Sequence, residues 1–134
     1  MKKPEVILYP IGYADESKII LDPALEDALD GVEEYSHLVV LFWMHKVKRG
    51  SRKIKKAVPY GFDDVDKKGV FATRLPSRPN PIGLSIVKLI GKRKNVLEVE
   101  GLDALPGSPI LDIKPYTGHP KDLVYKFQAP KWAY

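Results

Sequence analysis

At 134 residues, 44% of them hydrophobic, the chain is long enough to bury one compact core and too short for two full domains. It contains no cysteine, which excludes disulfides, thiolate metal sites and cysteine nucleophiles and is compatible with a reducing cytoplasm. No apolar run approaches the roughly 18 residues that a membrane span needs, and Met1-Lys-Lys-Pro lacks a secretory apolar region. The expectation is a soluble, cytoplasmic protein with a single domain over residues 1–134, no membrane partner and no additional C-terminal domain.

In chain order, Val6–Tyr9 is a short apolar run ended by Pro10 and Gly12, and reads as a first strand and turn. Lys18–Leu21 reads as a second. Asp22-Pro23 supplies an N-cap followed by proline at the first helical position, and Leu25, Ala28 and Leu29 then recur at helical spacing until Gly31. The run from His37 to Met44 is apolar, β-branched and aromatic, which predicts a strand buried on both faces at the centre of the sheet.

Between Lys46 and Lys56 lie seven basic residues and no acidic one, although the net charge of the whole chain is only +5. Such a run is either a solvated loop or a patch that tracks phosphates, and the sequence leaves both open. Tyr60 and Phe62, just beyond it, are candidates for stacking on bases.

Gly69–Ser85 reads as strand, rigid loop, strand. Pro76, Pro79 and Pro81 each fix φ and bias the preceding residue toward extended conformations. Around them stand Arg74, Arg78, Asn80, Thr73 and Ser77, the chemistry of a site for an anionic, hydrogen-bonding ligand. Ile82–Ile90 and Val96–Glu100 flank the polar Gly91–Asn95 connection and read as a hairpin, with Leu97 and Val99 facing inward. Leu102–Pro109 is rich in turn residues. Ile110–Ile113 reads as a last buried strand whose one acid, Asp112, needs a partner. The tail from Pro115 to Tyr134 reads as an irregular strap packed through Tyr125, Phe127 and Trp132.

Six or seven strands with one or two short helices, and no strand–helix alternation, predict a mainly β (α+β), barrel-like domain that is not a Rossmann fold. Neither a Gly-x-Gly-x-x-Gly nor a Gly-x-x-x-x-Gly-Lys phosphate loop is present. No metal site is expected: His37 and His45 are eight residues apart, about 26 Å along an extended strand, too far to share an ion. No histidine stands with a serine in a nucleophile motif. Asp103 and Asp112 flank the Leu105–Pro109 turn, either as a turn cap and an ion pair or as carboxylates brought toward the Arg74 loop.

The stretch Gly31–His45, together with Gly-Val-Phe-Ala-Thr-Arg74, Arg78-Pro-Asn-Pro-Ile-Gly-Leu-Ser85 and Gly107-Ser-Pro-Ile-Leu-Asp-Ile-Lys-Pro-Tyr116, resembles the TrmO (YaeB/TsaA-like) family. The resemblance implies an S-adenosylmethionine-dependent methyltransferase acting on the N6 nitrogen of threonylcarbamoyl-adenosine beside the anticodon of tRNA, in a homodimeric β-barrel. It implies cofactor contacts at Met44, His45, Arg74, Leu84, Glu100, Gly101, Leu102 and Asp103. Arg78, Asn80 and Lys114 are the candidate substrate contacts, and Asp112 or Tyr116 the candidate base. Val58–Asp66 departs from the family's usual glycine-rich loop at that place. A non-catalytic RNA-binding module and a small-molecule methyltransferase are the competing readings.

Overall fold

The computed structural model describes residues 2–59, 64–121 and 123–133, and the chain divides into two compact units, Met1–Trp43 with Gly83–Tyr116 and Met44–Ile82 with Thr117–Tyr134. The strands are β1 (Gly12–Asp15), β2 (Lys18–Leu21), β3 (His37–Trp43), β4 (Lys56–Ala57), β5 (Lys68–Gly69), β6 (Ile82–Arg93), β7 (Val96–Glu100) and β8 (Pro109–Pro115). Six of them close into a barrel in the order β1-β2-β7-β6-β3-β8. Closure gives each of these six strands a ladder neighbour on both sides.

Side-chain alternation dictates which face each strand turns inward. In β7, Leu97 and Val99 are buried while Glu98 and Glu100 are exposed. In β6, Gly83, Ser85 and Val87 are buried, and Leu84, Ile86 and Lys88 face out. Ile19, Leu38, Val40, Phe42 and Ile110 complete the core. Gly83 has a packing reason: the Phe42 ring occupies the place where a Cβ would stand.

The β6–β7 hairpin turns at Lys94 and Asn95, where Lys94 has φ 54°, so its loop is shorter than the polar stretch suggests. Asn95 then fastens β2, its Nδ2 donating to the Leu21 carbonyl at 2.6 Å. Asp22 caps the next segment as expected, Oδ1 accepting from the Ala24 amide at 3.0 Å. That segment, Pro23–Leu29, is a 3₁₀ helix. Seven residues allow too few i→i−4 bonds to offset helix nucleation. Gly31 (φ 93°) starts a second 3₁₀ turn, Val32–Glu34. Lys92 of β6 holds both, with Nζ 3.4 Å from the Leu29 carbonyl and 2.9 Å from Glu33 Oε2. That contact holds the Glu33 carboxyl below its usual value, chiefly through the hydrogen bond from Lys92.

In the other unit the basic run contains a 3₁₀ turn, Arg49–Lys53, and leads into β4, which pairs with β5. The Val70 amide donates to the Lys55 carbonyl at 2.9 Å, and Val70 is buried. Near the end of the chain Lys131–Ala133 forms one 3₁₀ turn, with Lys68 Nζ 6.0 Å from the Trp132 ring centroid.

Several expectations change. Val6–Tyr9 is not a strand: its four side chains are exposed, and the barrel begins instead at β1, whose pairing with both β2 and β8 completes the ring. β3 has no central place in a closed ring, and only alternate residues of it are fully buried, the others half-buried. In β8 only Ile110 is fully buried, so Asp112 is not a core carboxylate. Tyr125 and Phe127 are exposed rather than packed. Gly69 belongs to a two-residue strand, and a 3₁₀ turn, Val70–Ala72, replaces the longer strand expected before the proline loop. Tyr60 and Phe62 lie outside the described residues. Among the described residues no helix is long and apolar enough to cross a membrane.

Candidate functional site

The proline loop is braced from within. Thr73 Oγ1 donates to the Val70 carbonyl at 2.9 Å and accepts from the Leu75 amide at 3.3 Å. Arg78 turns back into the loop, its Nη1 donating to the carbonyls of Thr73 at 3.1 Å and Leu75 at 3.0 Å. The Ile82 amide donates to the Asn80 carbonyl at 2.7 Å. Pro81 is buried. Arg74, by contrast, is exposed and makes no hydrogen bond or ion pair among the described residues. Prolines and hydrogen bonds therefore fix the frame, and the Arg74 guanidinium stands exposed on it.

Met44, the residue after β3, is tied to the same loop, its amide donating to the Pro81 carbonyl at 2.8 Å. Its own carbonyl accepts from the Val47 amide at 3.2 Å, which turns the chain into the basic run. Met44 and His45 are half-buried, at the junction between strand and loop. From the basic run, Arg52 reaches the loop, Nε donating to the Pro79 carbonyl at 2.7 Å and Nη2 approaching Asn80 Oδ1 at 3.4 Å. Lys46, Lys48, Arg49, Lys53, Lys55 and Lys56 are exposed.

On the barrel unit, Glu100–Asp103 runs out of β7 beside β6. Lys88 pairs with Glu100 in the ladder, and beyond it the Asp103 amide donates to Ser85 Oγ at 3.1 Å. Gly101 makes the turn at φ 90°, where a Cβ would stand 3.4 Å from the Ile86 carbonyl. The structure thus brings Leu84, Gly101, Leu102 and Asp103 to one region of the barrel. Ser85 is the residue the sequence reading passed over. Its signal was a hydroxyl on the inward, apolar face of β6, which needs a hydrogen-bond partner.

Asp112, Lys114 and Tyr116 follow at intervals of two along β8 and past its end. Both Asp112 oxygens are engaged, Oδ2 with Lys114 Nζ at 2.9 Å and Oδ1 with the Ile113 amide at 2.9 Å. Tyr116 instead meets β3: its amide donates to the His37 carbonyl at 3.1 Å, and the two rings lie edge to face with centroids 6.5 Å apart. Four residues of extended chain separate the Asp112 and Tyr116 backbones by about 13 Å. Among the described residues no three His, Cys, Asp or Glu side chains gather as a metal site.

With this geometry in place, similarity to known proteins bears on the chain. The family described as "tRNA-methyltransferase O N-terminal domain" matches residues 10–120. A "Probable S-adenosyl-L-methionine-binding protein" of Methanothermobacter thermautotrophicus is 48% identical over 103 residues, covering 77% of this chain and 71% of its own. A "tRNA (adenine(37)-N6)-methyltransferase" of Mus musculus is 43% identical over 91 residues, covering 68% of this chain and 21% of its own. A crystal structure of TrmO from Pseudomonas aeruginosa superimposes with a TM-score of 0.74 at 30% identity, covering 97% of this chain and 62% of that one. The chain therefore spans about three fifths of that bacterial structure and a fifth of the mouse protein. By the extent of the match and the shared barrel, the chain belongs to the tRNA-methyltransferase O N-terminal domain family.

Proposed function

We propose that this chain is an S-adenosylmethionine-dependent methyltransferase that methylates the N6 nitrogen of threonylcarbamoyl-adenosine next to the anticodon of tRNA. The observation that carries the reading is the exposed Arg74 guanidinium on a loop that Thr73, Arg78, Arg52 and the Met44 amide hold in place. Relatives are named both for binding this cofactor and for methylating tRNA adenine 37 at N6.

The donor groups present fit the cofactor's chemistry. Arg74 would pair with its amino-acid carboxylate, and Asp103, with its amide pinned to Ser85, would accept from ribose hydroxyls. Leu84 and Met44 offer apolar surface to adenine, while His45 and the Glu100–Leu102 backbone supply further contacts. The cofactor brings a methyl group on a positively charged sulfur. The N6 lone pair would take that methyl, the carbon–sulfur electron pair would stay on sulfur, and the N6 proton would pass to a base. Positioning is the protein's main contribution. Tyr116 or Asp112 takes the proton. Asp112 keeps acceptor lone pairs beside its Lys114 and Ile113 contacts, whereas the Tyr116 phenol would first have to give up its own proton.

The exposed lysines of residues 46–56, with Asn80 and Lys114, are the proposed contacts to tRNA, and Arg78 acts through the loop that it braces. Without cysteine, the chain suits a reducing cytoplasm. Ile82, Leu84 and Ile86 are exposed at alternate positions on the outer face of β6, and this apolar surface supports a homodimer. A monomer by sedimentation at micromolar concentration would remove that part.

Calorimetry with S-adenosylmethionine and, separately, with tRNA tests the whole reading. Binding of both is expected. Affinity for tRNA alone identifies an RNA-binding module, and affinity for the cofactor alone a small-molecule methyltransferase.

A further inference from the structure

Three guanidiniums surround the proline loop, and the structure uses them differently. Arg78 holds its first half through the Thr73 and Leu75 carbonyls. Arg52 holds its second half through the Pro79 carbonyl and the Asn80 side chain. Only Arg74 points outward without a partner among the described residues. By sequence Arg52 belongs to the basic run, yet it is half-buried where the run's other six cations are exposed. Its place in the Arg49–Lys53 turn faces it toward the loop, 27 residues away in sequence.

We propose that Arg52 is a positioning residue for the proline loop and not one of the run's phosphate contacts. The inference rests on the reading of Arg74 as the ligand-binding group of that loop. Pro79 and Pro81 fix φ on either side of Asn80 but leave ψ free, so prolines alone do not define where the loop ends. The guanidinium supplies the missing restraint. Its rigid fork reaches a main-chain carbonyl and a side-chain oxygen of the next residue together, which a lysine ammonium, a single point charge on a flexible stem, does not reproduce. Holding Asn80 also holds the carbonyl that receives the Ile82 amide at 2.7 Å, the bond with which β6 begins. The run that carries the lysines and the loop that carries Arg74 are therefore one mechanical piece.

The test compares Arg52→Lys and Arg52→Gln with the wild type by amide hydrogen exchange and by tRNA binding across a salt series. Exchange at Ile82 is expected to rise about tenfold in both variants, the ratio that loss of one charge-assisted hydrogen bond produces. Leu75, braced by Thr73, and Val99, in the barrel, are expected to stay protected, which separates a local release from unfolding. The slope of log affinity against log salt is expected to remain at the wild-type value in Arg52→Gln. A slope that falls by about one unit, with Ile82 exchange unchanged, makes Arg52 a phosphate contact and overturns the proposal. Unchanged exchange with an unchanged slope overturns it as well. Wild-type protein that binds neither tRNA nor cofactor refutes the proposed function instead, and Ile82 exchange still decides the role of Arg52.

Discussion

The Met44 amide donates to the Pro81 carbonyl at 2.8 Å, which ties the residue following β3 to the last proline of the loop. The bond joins two main-chain groups, so among substitutions at Met44 only proline, which has no amide hydrogen, removes it. Specificity then rests on the side chains that the frame presents.

Arg74 is the first of these. Arg74→Ala is expected to weaken S-adenosylmethionine binding by about 1.5 kcal/mol, the low end for a charge-assisted hydrogen bond because the group is exposed. Isothermal calorimetry on the folded variant checks it, and an unchanged dissociation constant would remove Arg74 from the site.

Gly83 and Phe42 test the barrel. A methyl group on Gly83 enters the space of the Phe42 ring inside a closed core, so Gly83→Ala is expected to cost about 1–3 kcal/mol by overpacking. Urea unfolding measures this. Gly91→Ala, on the same strand with nothing within 4 Å of its Cβ position, serves as the control and should stay close to the wild type.

Lys92 and Glu33 give a pH-dependent signature. The Glu33 carboxyl is held below its usual value by Lys92, so its contribution to stability is present above the unfolded-state value and disappears as pH falls through the folded-state one. In Lys92→Met the Glu33 titration is expected to move up toward that of an ordinary glutamate. Carboxyl NMR reads the change directly, and an unmoved titration would mean that Lys92 does not cause the shift.

Strands β2, β3, β6, β7 and β8, the Asp22 cap and the inward faces of Leu97 and Val99 are legible in the sequence because each is a local matter of alternation and capping. Val6–Tyr9 misleads because strand formation needs a ladder partner, and in this ring that position belongs to Gly12–Asp15. Gly12–Asp15 has poor strand propensity. Gly12 is there because the Ile20 backbone lies where its Cβ would be. The stiffness of the proline loop is also legible, but its braces are not. Thr73 and Arg78 have the chemistry of ligand contacts and turn inward, and Arg52 reaches the loop from 27 residues away. Hydrogen bonds across such separations leave no periodic trace.

The exposed lysines are expected to carry RNA affinity. Reversing Lys53, Lys55 and Lys56 to glutamate should abolish tRNA methylation and flatten the salt dependence, while cofactor affinity stays within about twofold because exposed charges are screened at physiological salt. A filter-binding titration beside cofactor calorimetry tests this. Wild-type tRNA affinity and slope in the triple variant would make the run a solvated loop.

The central claim is methyl transfer to a modified adenosine, and the most direct measurement is transfer of labelled methyl from S-adenosylmethionine to two tRNA preparations, one carrying threonylcarbamoyl-adenosine and one lacking it. Label is expected on N6 of the modified nucleoside only, with loss of the label in Arg74→Ala. Equal labelling of both preparations would contradict the substrate assignment, and no labelling of either by a protein that binds the cofactor would contradict the activity itself.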